Sequence, residues 1–222
     1  MDLTLLEKVA VAAAGAMLLW WRLARARRRE AEGRGHMLDA FLPVAEGPIL
    51  RLSPWRYLNL KGRLDGRPAR IDLIPDTLVR RSLPTLWLQV RWARPHRGWL
   101  CVTTQWNGAE YFSDDADAGT RLVSPAAWPS TTMVRGHGQD SPALLHQIED
   151  LDLQAYPSLK QLVFSGDEVR VVLECARGDH AVYRVLRSGS FPTDCVTPAI
   201  VDETMDVLRA VDKVLQLTKE AA

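Results

Sequence analysis

Leu58, Leu60 and Leu64 alternate with polar residues, Asp65-Gly66 follows, and Ile71 and Leu73 then resume the alternation. A period of two marks a strand with one buried face, and Asp-Gly between two such runs marks a tight turn. YLNLKGRLDGRPARIDLIP, residues 57–75, therefore predicts a β-hairpin. In TLWLQVRW, Leu86, Leu88, Val90 and Trp92 share one face. In WLCVTTQW, Leu100, Val102 and Trp106 do so ahead of Asn107-Gly108, and the two runs predict a second antiparallel pair. Val169, Val171, Leu173 and Cys175 alternate with Glu168, Arg170 and Glu174, and AVYRVLR, residues 181–187, reads as the returning strand of a third hairpin after Arg177-Gly178-Asp179.

Elsewhere the period lengthens. Ser141-Pro142 and Thr197-Pro198 each offer a capping oxygen followed by a proline at the first helical position. After the second of these, Val201, Met205, Leu208, Val211 and Leu215 form one stripe, with Asp202 and Glu203 early and Lys213 and Lys219 late, as the helix dipole favours. Hairpin-connected strands with two late helices predict an α+β domain over residues 38–222, built around an antiparallel sheet. Residues 111–141 carry little pattern and read as a long excursion.

The first thirty residues follow a different rule. Val9 to Trp21 contains no charge, but at 1.5 Å per residue it reaches only about 20 Å of the roughly 30 Å hydrocarbon core. Adding Leu3 to Leu6, with Glu7 and Lys8 tolerated near one end, extends the helix to about 28 Å. Residues 1–30 are therefore expected to form a single transmembrane anchor with a basic flank, joined by a linker over residues 31–37. Arginines placed after the apolar run, and bulky residues following Leu19, do not fit a cleaved leader. Trp20 and Trp21 suit the headgroup level, and Arg22, Arg25, Arg27, Arg28 and Arg29 suit the cytoplasmic side, so the expected membrane interface consists of these seven residues. This places the protein in the inner (plasma) membrane with its C-terminal domain in the cytoplasm. Ala10 with Ala14 and Ala12 with Ala16 have small-xxx-small spacing, which lets a second helix approach closely and points to a partner transmembrane subunit or a homo-oligomer.

Charge adds a division that the net value of +1 conceals. Residues 36–109 hold eleven basic and five acidic side chains, whereas residues 110–222 hold ten and eighteen. The two halves can pair with each other, or the basic one can face anionic lipid. Between Arg51 and Arg97 tryptophans interleave with the cations, as in single-stranded nucleic-acid binders, but everything after residue 35 sums to a slightly acidic charge, so no nucleic-acid partner is expected. Three cysteines without CxxC spacing fit neither a disulfide framework nor zinc, and suit a reducing compartment.

No complete catalytic motif is present. Asp115 and Asp117 have D-x-D spacing, but Gly119 occupies the position of the third calcium ligand and no closing glutamate follows. His137 sits between two glycines and is the one histidine placed to act as a base in a loop. The expectation is a non-enzymatic, single-pass accessory or scaffolding subunit of a membrane complex, without cofactor or metal. The alternatives are a membrane-tethered, hydrolase-like enzyme assembled from scattered residues such as His137, Asp115 and Asp117, and a membrane-tethered nucleic-acid binder.

Overall fold

A computed structural model describes residues 5–52, 57–76, 84–105, 115, 118–178 and 191–220; within them, side chains 5–12, 23, 26–31 and 217–220 are outside the description. Helix α1 spans Leu5–Gly35, α2 Ser141–Ile148 and α3 Pro198–Glu220. The strands are β1 (Glu46–Leu52), β2 (Leu58–Leu64), β3 (Arg67–Asp76), β4 (Thr85–Ala93), β5 (Trp99–Thr103), β6 (Thr120–Leu122), β7 (Met133–His137), β8 (Leu159–Ser165) and β9 (Glu168–Arg177). They form one antiparallel sheet in the order β1-β2-β3-β4-β9-β8-β5-β7-β6. An antiparallel sheet with packed helices is the α+β arrangement that the alternation predicts.

The β2–β3 hairpin forms around Asp65 and Gly66, whose φ values of 46° and 73° are the two positive angles of the favoured two-residue turn. The second predicted pairing is corrected. β4 and β5 are not neighbours, because the β8–β9 hairpin inserts between them: β4 pairs with β9, and β5 with β8 and β7. Arg94 and His96 donate backbone N–H groups to Asp167 and Gly166 O, carrying the chain past that hairpin turn instead of folding it back on itself. β9 lies between β4 and β8; the returning strand expected for the third hairpin, AVYRVLR, residues 181–187, lies outside the described residues. The excursion holds two strands, β6 and β7, that the periodicity missed because each is very short.

Helices α2 and α3 and the 3-10 turn Asp39–Phe41 cover one face of the sheet, hereafter the inner face. On it one row runs across all nine strands in register: Leu50, Leu60, Ile71, Val90, Val171, Leu162, Val102, Val134 and Leu122. The seven central members are almost wholly buried. The predicted stripe Val201, Met205, Leu208, Val211 and Leu215 of α3 is buried as well. Thr197 accepts the Ile200 N–H at 3.3 Å, as a cap should. Ser141 does not cap α2; its hydroxyl donates across to His137 O at 2.6 Å and Trp99 O at 2.8 Å, tying the helix to β5 and β7.

Helix α1 continues through residues 31–35, and the core begins at once with Met37, Leu38 and Phe41. Its C-terminal end is docked. A Cβ at Gly33 would collide with Thr193 just before α3, and the Arg34 guanidinium stacks 4.8 Å from the centre of the Tyr57 ring. Among the described residues no helix is long and apolar enough to cross a membrane. Leu3 and Thr4, which the expected span requires, lie outside them.

Candidate functional site

Ten successive residues of α1, Ala13 to Arg22, are exposed, including Met17, Leu18, Leu19, Trp20 and Trp21 at 51–71%. Ten residues make almost three turns, so the exposure runs around the whole circumference and is not a stripe facing the domain. Ala14 and Ala16 are among these exposed positions, whereas the side chains of Ala10 and Ala12 are outside the description. Trp20, Trp21, Arg22 and Arg25 are exposed, with the Arg25 guanidinium 5.3 Å from the Trp21 ring; the Arg27, Arg28 and Arg29 side chains are not described.

The outer face of the sheet carries a second feature, which no single segment of sequence contains. One residue along from the aliphatic row, the register aligns Ile49, Lys61, Arg70, Arg91, Arg170, Val163, Cys101, Arg135 and Arg121. Four cations, Lys61 to Arg170, stand directly opposite one another on adjacent strands about 4.8 Å apart. Like charges so placed destabilise a sheet unless they are countered. Counter-charges are supplied to part of the row. Arg70 Nε lies 2.8 Å from Asp72, Arg91 Nη1 lies 3.8 Å from Glu168, and Arg170 pairs with Asp115 from the excursion. Arg135 donates to Gly119 O at 3.2 Å. Arg51 and Lys61, both exposed at the β1–β2 end, carry no ion pair among the described residues.

Beside this row the outer face is polar and covered. Asn59, Asp72, Gln89, Gln161 and Thr103 are aligned by the register with Val172 and Met133, and all are buried. Gln161 Nε2 lies 3.3 Å from both Cys101 Sγ and Thr103 Oγ1. Burial pushes the Cys101 thiol up to about 11 despite these contacts, which keeps it protonated and a poor nucleophile at neutral pH. Cys195 is raised to about 11, and Cys175 is raised also, both chiefly by burial. None of the three is a reactive thiol.

Cross-half pairing occurs on the outer row through Arg91 and Glu168 and is denser on the inner face. The Asp212 carboxylate of α3 is ion-paired with Arg94, 2.6 Å from its Nε, and accepts from Arg67 Nη2 at 3.1 Å, and Arg67 lies 5.1 Å from the Trp92 ring centre. Arg67, Trp92 and Asp212, together with Arg209, which reaches Asp65 at 2.9 Å, and Gln216, line a cleft of about 240 Å³ whose arginines and aspartates are already engaged with each other.

The residues named for an enzyme are dispersed or occupied. His137 is exposed at the end of β7, Asp115 is bound to Arg170, and Asp117 is outside the described residues. His96 is held below the ordinary imidazole value by burial; its Nδ1 is 2.8 Å from Arg94 O and its ring meets Phe164 edge-on at 5.6 Å, a packing role. Among the described residues no group of three or more His, Cys, Asp or Glu could hold a metal ion. The cationic row escapes sequence reading because its members lie 7 to 79 positions apart from their cross-strand partners in the chain; the available signal was a basic residue on the outward phase of several strands. Comparison with known proteins assigns no relationship: no family model, no curated protein and no solved structure matches this chain.

Proposed function

We propose that the protein is a single-pass membrane protein without enzymatic activity, whose C-terminal α+β domain serves on the cytoplasmic side as an accessory or scaffolding part of a larger membrane complex. One observation carries this reading: α1 exposes apolar side chains on every side from Ala13 to Trp21. Water does not tolerate such a surface, and a helix apolar all round belongs in lipid or inside an assembly. The arginines that follow give the helix a polar end at which Trp20 and Trp21 meet the headgroups. In lipid, Leu3 to Leu6 complete the span, and the small side chains at Ala10, Ala12, Ala14 and Ala16 receive a partner helix.

Alkaline carbonate washing of membranes from cells expressing the full chain, followed by purification in mild detergent and mass measurement, tests both parts. The protein is expected to resist the wash, to dissolve in detergent, and to run as a complex with a membrane partner or with itself. Release by carbonate would refute insertion, and a strictly monomeric protein with no companion would refute the accessory role.

A further inference from the structure

We propose that the free edge of β1 is a docking site for one extended segment of a partner protein, a strand that alternates acidic and apolar residues. The proposal rests on the accessory-subunit reading for the existence of a partner and on the sheet for its chemistry. Among the described residues β1 is the end strand, paired with β2 alone. Sheets usually blunt such edges. The opposite end does so by brevity, since β6 has three residues. On β1 the defences, a register shift with Gly47 at φ 59° and Pro48, are confined to its first half, and Ile49–Leu52 pairs regularly with Lys61–Leu58. That half offers a run of backbone donors and acceptors on its open side.

The two faces of this half specify what fits. Leu50 and Leu52 lie on the inner face, where Leu50 begins the aliphatic row, yet they remain 39% and 69% exposed because nothing among the described residues lies beyond them. On the outer face Arg51 and Lys61 stand without acidic partners among the described residues. An added strand would therefore extend the core with its inward side chains and neutralise the end of the cationic row with its outward ones. A row of like charges weakens the fold, and its retention at an open edge is consistent with a counter-charge supplied from outside.

Three other occupants fit less well. From Trp21 to Gly35 α1 adds about 21 Å of helix between the headgroup level and the domain, beyond the roughly 8 Å over which a charged leaflet acts at physiological salt. Lipid is thus met by the arginines of α1 and not by the sheet. Nucleic acid finds no stacking platform on β4 among the described residues, since Trp87 and Trp92 of that strand are buried. A second copy pairing regularly through Ile49–Leu52 would gather two Arg51 and two Lys61 side chains on one face.

Fluorescein-labelled peptides of alternating glutamate and valine, of alternating lysine and valine, and of glutamate and valine in blocks are titrated against the full chain in mild detergent, with hydrogen exchange followed at β1. The alternating glutamate peptide is expected to bind roughly three- to tenfold more tightly than the other two, more weakly as salt rises, and to protect the amides of residues 49–52. Joint substitution of Arg51→Glu and Lys61→Glu should transfer the preference to the lysine peptide. Equal binding of all three peptides, protection elsewhere than β1, or an unchanged preference in the double variant would overturn the proposal. A dimer whose β1 amides are protected before peptide is added would also overturn it, in favour of a second copy. Because the titration needs no bilayer, its result is independent of the carbonate wash that tests insertion.

Discussion

Two rows of the sheet, one residue apart along every strand, obey opposite rules. The inner row from Leu50 to Leu122 is aliphatic at all nine positions, while the outer row from Ile49 to Arg121 holds six cations. Burial explains the first, since each aliphatic side chain removed from water contributes about 1.5–3 kcal/mol. Folding does not explain the second. Cations opposite cations cost free energy that alternating signs would recover. The inner face is thus optimised for the fold, whereas the outer row needs counter-charges, which Asp72, Glu168 and Asp115 supply to Arg70, Arg91 and Arg170 and which Lys61 lacks among the described residues.

Removing an inner-row member should give the largest effect. Leu162 is 1% exposed at the centre of the row, and Leu162→Ala is expected to cost about 2–5 kcal/mol through the cavity it leaves, measured by urea unfolding of the full chain in detergent. A loss below about 1 kcal/mol would mean that the helices close over the gap and that the rows differ less than their composition suggests. The charged cluster on the inner face comes next. Arg94 has a side chain only 5% exposed, and Asp212→Ala would leave that guanidinium buried beside Arg67 without its carboxylate. The expected cost is roughly 1–3 kcal/mol, insensitive to salt. A neutral outcome would show that water replaces Asp212, making this cluster resemble the outer row.

The inner row could be read in advance because burial imposes a period on each strand separately. Leu58, Leu60, Leu64, Ile71 and Leu73 declare a hairpin without any knowledge of the rest of the sheet, and the stripe from Val201 to Leu215 declares a helix face in the same way. Neighbour relations are not local. Nothing in TLWLQVRW says that its partner is Glu168–Arg177, more than seventy residues away, rather than the adjacent WLCVT, so β4, β5 and β9 are legible as strands while the neighbours of β4 are not, and β1, β6, β7 and β8 escape the alternation altogether. The cationic row depends on those pairings throughout. The exposed helix is the reverse case, since the uncharged run Val9–Trp21 is plain in the sequence, and the structure adds that Ala13 to Trp21 are uncovered on every side.

The smallest expected effect has the opposite sign. Lys61 is exposed, faces Arg70 directly, and has no acidic partner among the described residues. Lys61→Glu would turn a like-charge pair into an opposite-charge pair at the open end of the row, and is expected to raise stability by about 0.2–1 kcal/mol at low salt. Because Lys61 and Arg70 are both solvent-exposed, the gain should shrink as salt screens it, unlike the loss in Leu162→Ala. Arg70 is already shared with Asp72 at 2.8 Å, which places the expected gain toward the lower end of that range. Unfolding of Lys61→Glu at low and high salt distinguishes the cases. A salt-dependent gain shows that the natural lysine is retained against the interest of the fold, whereas a loss would mean that Lys61 serves the sheet itself and would remove the reason for seeking its counter-charge outside the chain.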